Sequence, residues 1–433
     1  MAGVWGGVPQ IQFLPPSWPG RGRRPIWAAR GMVERVFKQP ARAHRQNGTG
    51  GDRTMAISRF ELMTKILFGP GAVSQLGEEA EKLGRKALVV TYPDIRRIGL
   101  LDRVVTGLKE KGVEALAFEK VEPNPRSSTV DEGAEIARSE KVDLVIGLGG
   151  GSAMDAAKGI AVASSGTESI WHYVETRAQP KGAVPALVQV PTMAGTGSEI
   201  NNGAVITNWE THVKSTVGNR YMQARVAIID PEITLTVPGN QTAAGGVDMF
   251  THIVESYVTD GTPTPLTDGI RETVMKMVVR YLSQALARLD DIEARTQLSW
   301  ASTIAMSQFA RLGGGGGTLT CHGIEHALSG YYDVTHGDGL AALLPAWMTY
   351  TAPVMQHRLD LLGRNVFDSS DGIAATEEWL ESVGMRLRLG DLGCELERAE
   401  EIAELAVKSS PWLRMHPRPL DVPAIAQIYR DSF

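Results

Sequence analysis

The clearest indication of the fold class is one stretch of the sequence, Val142-Asp-Leu-Val-Ile-Gly-Leu-Gly-Gly-Gly-Ser-Ala-Met-Asp-Ala-Ala-Lys158. It begins with a short, mostly apolar run typical of a buried β-strand, and a glycine run then leads into a helical sequence. Glycine lets the backbone approach a ligand closely, and the free N–H groups of a helix start favour an anion, so this turn predicts a phosphate site. Ser152 is placed to cap the helix or to donate to a phosphate oxygen. Close packing of strand on helix also requires glycine and is the alternative.

On both sides of this stretch, strand patterns alternate with helical ones. Short apolar segments lie at residues 86–92, 114–118, 186–190, 204–207 and 226–229, and helical spacing at 99–112 and 129–141. This alternation predicts parallel βαβ units with both faces of the sheet covered. After Pro238 helical patterns dominate, at 242–259, 267–287, 292–309, 373–383 and 397–409. We therefore expect an α/β domain over residues 55–237, followed by an all-α domain over residues 238–433.

Residues 1–54 differ in composition from the rest of the chain. They hold nine lysines and arginines, two acidic residues and six prolines, and their apolar residues follow neither a helical nor a strand period. Such a segment is typical of a disordered tail, but an arginine-rich targeting peptide and a true translation start at Met55 remain open. We exclude it from the predicted fold. The glycine run at 313–317, which no strand precedes, is interpreted as a flexible or closely packed linker.

Composition excludes several classes of protein. The chain of 433 residues is 43% hydrophobic and 21% charged, with a mean hydropathy of −0.11, and no uninterrupted apolar run predicts a membrane helix. Residues 55–433 carry a net charge of −12, which is unfavourable for nucleic-acid binding. The two cysteines, Cys321 and Cys394, cannot form a disulfide framework and suit a reducing, cytoplasmic location.

The histidines supply the strongest chemical signal. Asp248 and His252 are four residues apart, as are His322 and His326, so each pair lies on one face of a predicted helix. His336 follows ten residues after His326. One carboxylate with two or three imidazoles predicts a site for a first-row divalent metal, for which Fe(II), Zn(II), Mn(II) and Co(II) all fit. A solvated helix face is the alternative for each pair taken alone.

Taken together and in this order, the motifs of the chain resemble those of the iron-dependent (group III) alcohol dehydrogenases, most closely the butanol dehydrogenase-like branch. The motifs are Gly149-Gly-Gly-Ser152-x-x-Asp155, Asp230-Pro-Glu, Gly246-Val-Asp248-x-x-x-His252-x-x-Glu255, His322-x-x-x-His326 and His336-Gly. The resemblance covers residues 58–433. It implies a Rossmann-like nucleotide-binding domain, then a helical metal-binding domain in a dehydroquinate synthase-like architecture, with the active site between them.

The resemblance also implies roles for individual residues. The implied metal ligands are Asp248, His252, His322 and His336, with Fe²⁺ as the expected ion and Zn²⁺ as the alternative. His326 matches a non-ligand histidine that transfers protons, and a residue that only orients a ligand is the alternative. The implied nucleotide contacts are Tyr92, Asn124, Gly150, Gly151, Ser152, Asp155, Thr192, Thr196 and Lys214.

The implied function is the NAD(P)-dependent interconversion of primary alcohols and aldehydes. The expected enzyme is a homodimer or larger homo-oligomer with no membrane or nucleic-acid partner. Two alternatives remain open. A dehydroquinate synthase-like lyase would use the nucleotide transiently and would need a basic cluster, which is not evident near the histidine motifs. A protein that binds metal and nucleotide without turnover would keep the ligands but would not need His326.

The choice between NAD and NADP is expected to depend on Tyr92. Relatives that prefer NAD have an aspartate at this strand end, and its charge repels the 2′-phosphate of NADP. Tyr92 lacks that charge, and Arg96 and Arg97 follow it at a distance in sequence that would let them pair with a phosphate. We therefore expect NADPH to be accepted and preferred, unless both arginines are only solvated charges.

Overall fold

The computed structural model describes residues 60–312 and 317–433, and residues 58–433 form one compact unit. The expectations for residues 1–54 and for the glycines at 313–316 lie outside the described residues. Within the described part of the chain, none of the helices combines the length and the apolar character that crossing a membrane requires.

The first part of the described chain is built on parallel strands. The strands are β1 (Lys65–Phe68), β2 (Lys86–Val90), β3 (Glu114–Phe118), β4 (Leu144–Gly149), β5 (Ala186–Pro191), β6 (Gly203–Asn208), β7 (Val213–Gly218) and β8 (Val226–Ile229). Six of them form one parallel sheet in the order β1-β8-β5-β4-β2-β3, and β6 pairs with β7 in a separate antiparallel hairpin. The predicted parallel α/β architecture is confirmed.

Helices cover both faces of this sheet. They are α1 (Leu76–Glu81), α2 (Leu100–Glu110), α3 (Ser127–Ser139), α4 (Gly151–Ala163) and α5 (Ile170–Thr176). Successive side chains of a strand point to opposite faces, so Leu88 and Val90 pack in one core cluster while Ala87 and Val89 pack in another. All four are 0% exposed, which is why these strands read as continuous apolar runs.

The second part of the described chain is helical. Its helices are α6 (Gly239–Thr259), α7 (Pro265–Ala287), α8 (Ile292–Ala305), α9 (Thr320–Tyr332), α10 (His336–Leu362), α11 (Gly372–Ser382), α12 (Ala399–Ser409) and α13 (Val422–Asp431). They enclose a third core cluster that includes the fully buried Phe250 and Trp347. The architecture changes between Ile229 and Gly239. That the two parts are separate domains divided at residue 237 stays a prediction.

Two helix predictions need correction. The helix predicted at 292–309 ends at Ala305, because the side chain of Ser307 accepts the N–H of Phe309 and begins a separate 3-10 helix, Gln308–Arg311. The sequence pattern also missed α10, which contains Pro345 and Pro353. Proline removes a helical N–H and crowds the preceding turn, so its presence argues against a helix. Here the chain accommodates it with non-helical backbone angles at Met355 and then continues.

Candidate active site

A cavity of about 400 Å³ lies where the sheet part meets the helical part. β4 ends at Gly149 and α4 begins at Gly151, so the cavity opens at the carboxyl end of a parallel strand, where α/β proteins bind ligands. Most of the predicted site residues line it together: Asn124, Gly151, Ser152, Asp155, Thr196, Lys214, His252, His322, His326 and His336.

The three histidines among the predicted metal ligands converge on one carboxylate oxygen of the fourth, Asp248. Oδ1 of Asp248 lies 3.3 Å from Nε2 of His322 and 3.7 Å from Nε2 of His336. The same oxygen lies 3.1 Å from Nδ1 of His252, one turn along α6, and that buried nitrogen has no hydrogen-bond partner among the described residues. The ligand atoms of Asp248, His322 and His336 lie within 4.8 Å of one another, as do those of a second group, Glu325, His326 and His336. One carboxylate and three imidazoles fit a first-row divalent metal.

Two glutamates whose role no sequence pattern indicates hold these histidines in place. Nδ1 of His322 hydrogen-bonds to Glu255, and Nδ1 of His336 hydrogen-bonds to Glu325. Both glutamates are 0% exposed. A carboxylate on Nδ1 fixes the ring orientation and leaves Nε2 to face a metal, as is usual around metal-binding histidines. The observed pairing therefore strengthens the fit of the site to a metal ion.

These contacts set the protonation states of the group. Burial opposes charge on His322, but the Glu255 and Asp248 carboxylates outweigh it and raise the pKa of His322 to about 10. Burial, together with the neighbouring charge of His322, lowers the pKa of His252 to about 3. Burial alone would raise the pKa of Asp248, yet the surrounding histidines bring it below its ordinary value. Asp248 is therefore ionised and His252 neutral, which are the forms that bind a metal, whereas His322 has to release its proton when the ion binds.

His326 lines the cavity one turn after His322 on α9. Its Nδ1 is buried without a hydrogen-bond partner in the described residues, and its ring centroid lies 5.5 Å from that of His336. Burial and the nearby Lys214 lower the pKa of His326 well below its ordinary value. The imidazole is therefore neutral, and a neutral imidazole can both accept and donate a proton.

The glycine turn at the start of α4 forms a closely packed wall of the cavity. A Cβ atom on Gly151 would lie 2.4 Å from Cγ2 of Thr196, so only glycine allows the two segments to approach this closely. Ser152 follows on the same wall. The N–H groups of the first helical turn have no partners within the helix, and they favour an anion. This cradle fits the pyrophosphate of a dinucleotide.

Asp155 also faces the cavity, but both of its carboxylate oxygens have protein partners. Oδ1 accepts the hydroxyl of Ser198 at 2.6 Å, and Oδ2 accepts the N–H of Val205 at 2.8 Å. Lys158, which is 0% exposed, donates to Ser198 Oγ at 2.7 Å and to the carbonyl of Gly203 at 2.6 Å. Burial lowers the pKa of Lys158 to about 8. This network ties the β6–β7 hairpin to α4, and a direct nucleotide contact by Asp155 stays a prediction.

Lys214 and Asn124 connect the nucleotide side of the cavity to the metal side. Nζ of Lys214 donates to Oδ1 of Asn124 at 2.9 Å, and Nδ2 of Asn124 donates to Oδ1 of Asp333 at 2.9 Å. The same Nζ lies 3.7 Å from Oε2 of Glu325, the partner of His336. The side chain of Lys214 therefore lies between the predicted nucleotide site and the predicted metal site.

Three predicted nucleotide contacts, Tyr92, Gly150 and Thr192, lie outside the cavity wall. Tyr92 borders Gly149 at the end of β4, and its hydroxyl interacts with Thr192. Gly150 is the residue before the first turn of α4. All three lie at the edge of the sheet that carries the glycine turn, and their contact with a nucleotide stays a prediction.

The two arginines expected to recognise a 2′-phosphate already have carboxylate partners. Arg96 donates to Glu119 from Nε and Nη2, each at 2.8 Å, and to Asp102 from Nη1 at 2.8 Å. Nε of Arg97 lies 3.2 Å from Oδ1 of Asp94. A 2′-phosphate would have to compete with these carboxylates, so the part of the NADPH expectation that rests on Arg96 and Arg97 loses its support, while the part that rests on Tyr92 stays a prediction.

Comparison with known proteins provides independent evidence on the family. The model of the iron-containing alcohol dehydrogenases matches residues 63–231, and that of the C-terminal part of the Fe-containing alcohol dehydrogenase family matches residues 242–433. NADH-dependent butanol dehydrogenase A of Clostridium acetobutylicum is 36% identical over 386 residues, which cover 86% of this chain and 99% of that protein. The 1,3-propanediol dehydrogenase of Citrobacter freundii is 33% identical, over 84% of this chain and 96% of its own.

Solved structures agree with these matches. The crystal structure of NADH-dependent butanol dehydrogenase A from Thermotoga maritima has a TM-score of 0.81 and 32% identity, and covers 87% of this chain and 98% of its own. The predicted family, fold class and nicotinamide-dependent alcohol and aldehyde chemistry are confirmed, and these matches support neither the lyase nor the inactive alternative. The chain is an alcohol–aldehyde oxidoreductase and belongs to the iron-containing alcohol dehydrogenase family.

Proposed function

We propose that this enzyme binds a divalent metal ion through Asp248, His252, His322 and His336, and that the ion is Fe²⁺. NAD(H) binds along the glycine turn of α4, and primary alcohols and aldehydes react between the two. The observation that carries this proposal is the convergence of the three histidines on Asp248 Oδ1, at distances of 3.1, 3.3 and 3.7 Å, beside a cavity that also contains the glycine turn.

The protein supplies positioning and charge to this reaction. When bound, the metal polarises an aldehyde oxygen and the nicotinamide supplies or accepts a hydride. Glu255 and Glu325 keep the rings of His322 and His336 oriented, because each accepts a hydrogen bond at Nδ1. Lys214 and Asn124 bind each other on the wall of the cavity and would contact the nucleotide.

His326 is the proposed proton-transfer group. It is neutral, lines the cavity beside the metal ligands and has a ring nitrogen without a partner in the described residues. A proton that joins the oxygen during aldehyde reduction, or leaves it during alcohol oxidation, is exchanged with this imidazole.

An absorbance assay of NADH oxidation with butanal, on enzyme loaded with Fe²⁺, tests the proposed function. We expect stoichiometric formation of butanol and NAD⁺. A lyase that uses the nucleotide transiently would show no net oxidation of NADH, and a protein without turnover would bind NADH and leave butanal unchanged. Either of these results would contradict the proposal.

Replacing His326 by glutamine should lower kcat by about 100-fold, the usual contribution of a general acid–base. The amide keeps a similar size and polarity but cannot carry a proton, so the metal content should not change. The exposed His357→Gln is the matched control and should behave as the wild type. A His326→Gln enzyme with full kcat, or one that has lost its metal, would show that His326 does not act as the proton-transfer group.

The pairing of Arg96 with Glu119 predicts that kcat/KM is higher with NADH than with NADPH, and the similarity to NADH-dependent butanol dehydrogenases supports this. Glu119→Gln removes the carboxylate that binds Arg96 through two hydrogen bonds, leaves its contact with Asp102, and should shift the ratio towards NADPH by about 3- to 5-fold, the weight of one exposed ion pair. Glu114→Gln, an exposed carboxylate at the opposite end of β3, is the control. A wild-type ratio in favour of NADPH would contradict this assignment.

Two further expectations belong to the proposal. The enzyme is a homodimer or larger homo-oligomer, which light scattering on a sizing column would measure. Its location is the cytoplasm, in keeping with two buried, unpaired cysteines.

A further inference from the structure

Arg311 brings a positive charge into the cavity that the proposed mechanism does not use. It is the last residue of the 3-10 helix Gln308–Arg311 and lines the same cavity as His322 and His326. Its backbone is fixed on both sides by α7, since Arg271 donates to the carbonyl of Ala310 at 2.8 Å and Thr267 donates to that of Leu312. The residue is exposed to solvent.

The charge of Arg311 has no balancing carboxylate in the described part of the chain. The nearby acids serve other arginines: Asp260 pairs with Arg271 at 2.9 Å, and Asp268 binds Arg358 through two contacts of 2.7 and 2.8 Å. No described residue accepts a hydrogen bond from Arg311, whereas Arg271 and Arg358 each have several acceptors. Surrounding protein atoms, followed by the charge of Arg271, lower the pKa of Arg311, as expected for a guanidinium without an anion.

The wall around Arg311 is otherwise suited to a short carbon chain. Met306, Leu319, Trp412 and Met415 line the cavity on the helical side. Thr318 joins them, and its hydroxyl has no hydrogen-bond partner in residues 60–312 and 317–433. An ion pair is stronger beside such apolar walls than in open water, and a guanidinium binds a carboxylate through two parallel hydrogen bonds.

We propose that Arg311 binds the negatively charged end of the substrate, so that the preferred substrates are aldehydes with a terminal carboxylate (ω-oxo acids) and the matching ω-hydroxy acids. This inference rests on the proposed function. The aldehyde carbon gains a hydride from NADH, its oxygen gains a proton, NADH becomes NAD⁺, and the carboxylate is unchanged.

The test compares charged aldehydes with uncharged ones of the same shape. Wild-type enzyme loaded with Fe²⁺ is assayed with 4-oxobutanoate against 4-methylpentanal and with 5-oxopentanoate against 5-methylhexanal. In at least one pair the oxo acid should have the higher kcat/KM. Arg311→Met should lower kcat/KM for the oxo acid by about 10- to 100-fold through a higher KM, as expected from the loss of charge-assisted hydrogen bonds. For the uncharged aldehyde, kcat/KM should stay within about 2-fold of the wild-type value.

Arg311→Lys keeps the charge and should give a kcat/KM between those of the wild type and Arg311→Met. Arg388→Met, at an exposed arginine outside the cavity wall, is the matched control. Calorimetry on the wild type measures binding without turnover and without a variant. 4-Hydroxybutanoate or 5-hydroxypentanoate should bind more tightly than its uncharged isostere, and high salt should weaken the binding of the hydroxy acid. Equal kcat/KM within both pairs, an equal loss for charged and uncharged aldehydes, or a raised KM for NADH alone would overturn the inference. Failure of the proposed function is distinct, because then no aldehyde of either kind would be reduced.

Discussion

Replacing His252 by alanine should remove most of the bound metal and lower kcat/KM with butanal by roughly 1,000-fold. Nδ1 of His252 lies 3.1 Å from Asp248 Oδ1 and has no hydrogen-bond partner among the described residues, so loss of the ring opens the proposed coordination sphere. The size of the effect follows from the several kcal/mol by which a metal stabilises developing charge, at about 1.4 kcal/mol for each factor of ten. Metal content by mass spectrometry and NADH kinetics on the same sample measure both results.

Two further variants make this prediction specific. Glu325→Gln leaves all four ligands but removes the carboxylate from Nδ1 of His336, and it should weaken metal binding by about 10- to 100-fold. His357→Ala, an exposed histidine outside the cavity, should change neither metal nor rate. A His252→Ala enzyme with normal metal content and normal kcat/KM would exclude His252 from the ligand set.

The second large effect is expected on stability. Lys158→Met should lower the free energy of unfolding at pH 7 by about 3–5 kcal/mol, as for other broken buried ion pairs. With its pKa lowered to about 8, Lys158 is still mainly protonated at this pH. Its removal leaves the hydroxyl of Ser198 and the carbonyl of Gly203 without their donor and takes away the cation that lies 3.9 Å from the carboxylate of Asp155, whose side chain is 15% exposed. Urea unfolding measures the change.

A double-mutant cycle separates this effect from a simple change in packing. Asp155→Asn in the Lys158→Met background removes the stranded carboxylate and should restore part of the lost stability. The exposed Lys408→Met is the matched control and should lie close to the wild type. If Lys158→Met unfolds at the wild-type urea concentration, the network does not hold the hairpin against α4.

Those parts of the structure that a short-period residue pattern marks could be predicted from the sequence. Strand β4 and helix α4 are predicted because an apolar run meets a glycine run. The helical spacing of Asp248–His252 and His322–His326 indicates a metal site, while the choice of His336 rather than His326 as a ligand comes from the family resemblance. Helix α10 was missed because Pro345 and Pro353 oppose a helix locally, and tertiary packing of its buried face outweighs that cost.

The supporting groups of the site could not be predicted in the same way. Glu325 binds His336 from eleven residues away and across two helices, and Lys158 reaches a loop forty residues later in the chain. No local period marks such pairs, because they form only when the fold brings separate elements together. Arg311 is a further case, since its lack of a carboxylate partner among the described residues is evident only from the pairing of Asp260 with Arg271 and of Asp268 with Arg358.

Titration of metal-free enzyme with Fe²⁺ tests the central claim most directly. The protein is stripped with a chelator under anaerobic conditions, and NADH-dependent reduction of butanal is followed as the ion is added back. We predict no activity without metal, a linear rise with added Fe²⁺ and a plateau at one ion per chain, and no such rise for His252→Ala. Full activity of the stripped protein, or the same titration curve in His252→Ala, would contradict a metal-dependent oxidoreductase built on Asp248, His252, His322 and His336.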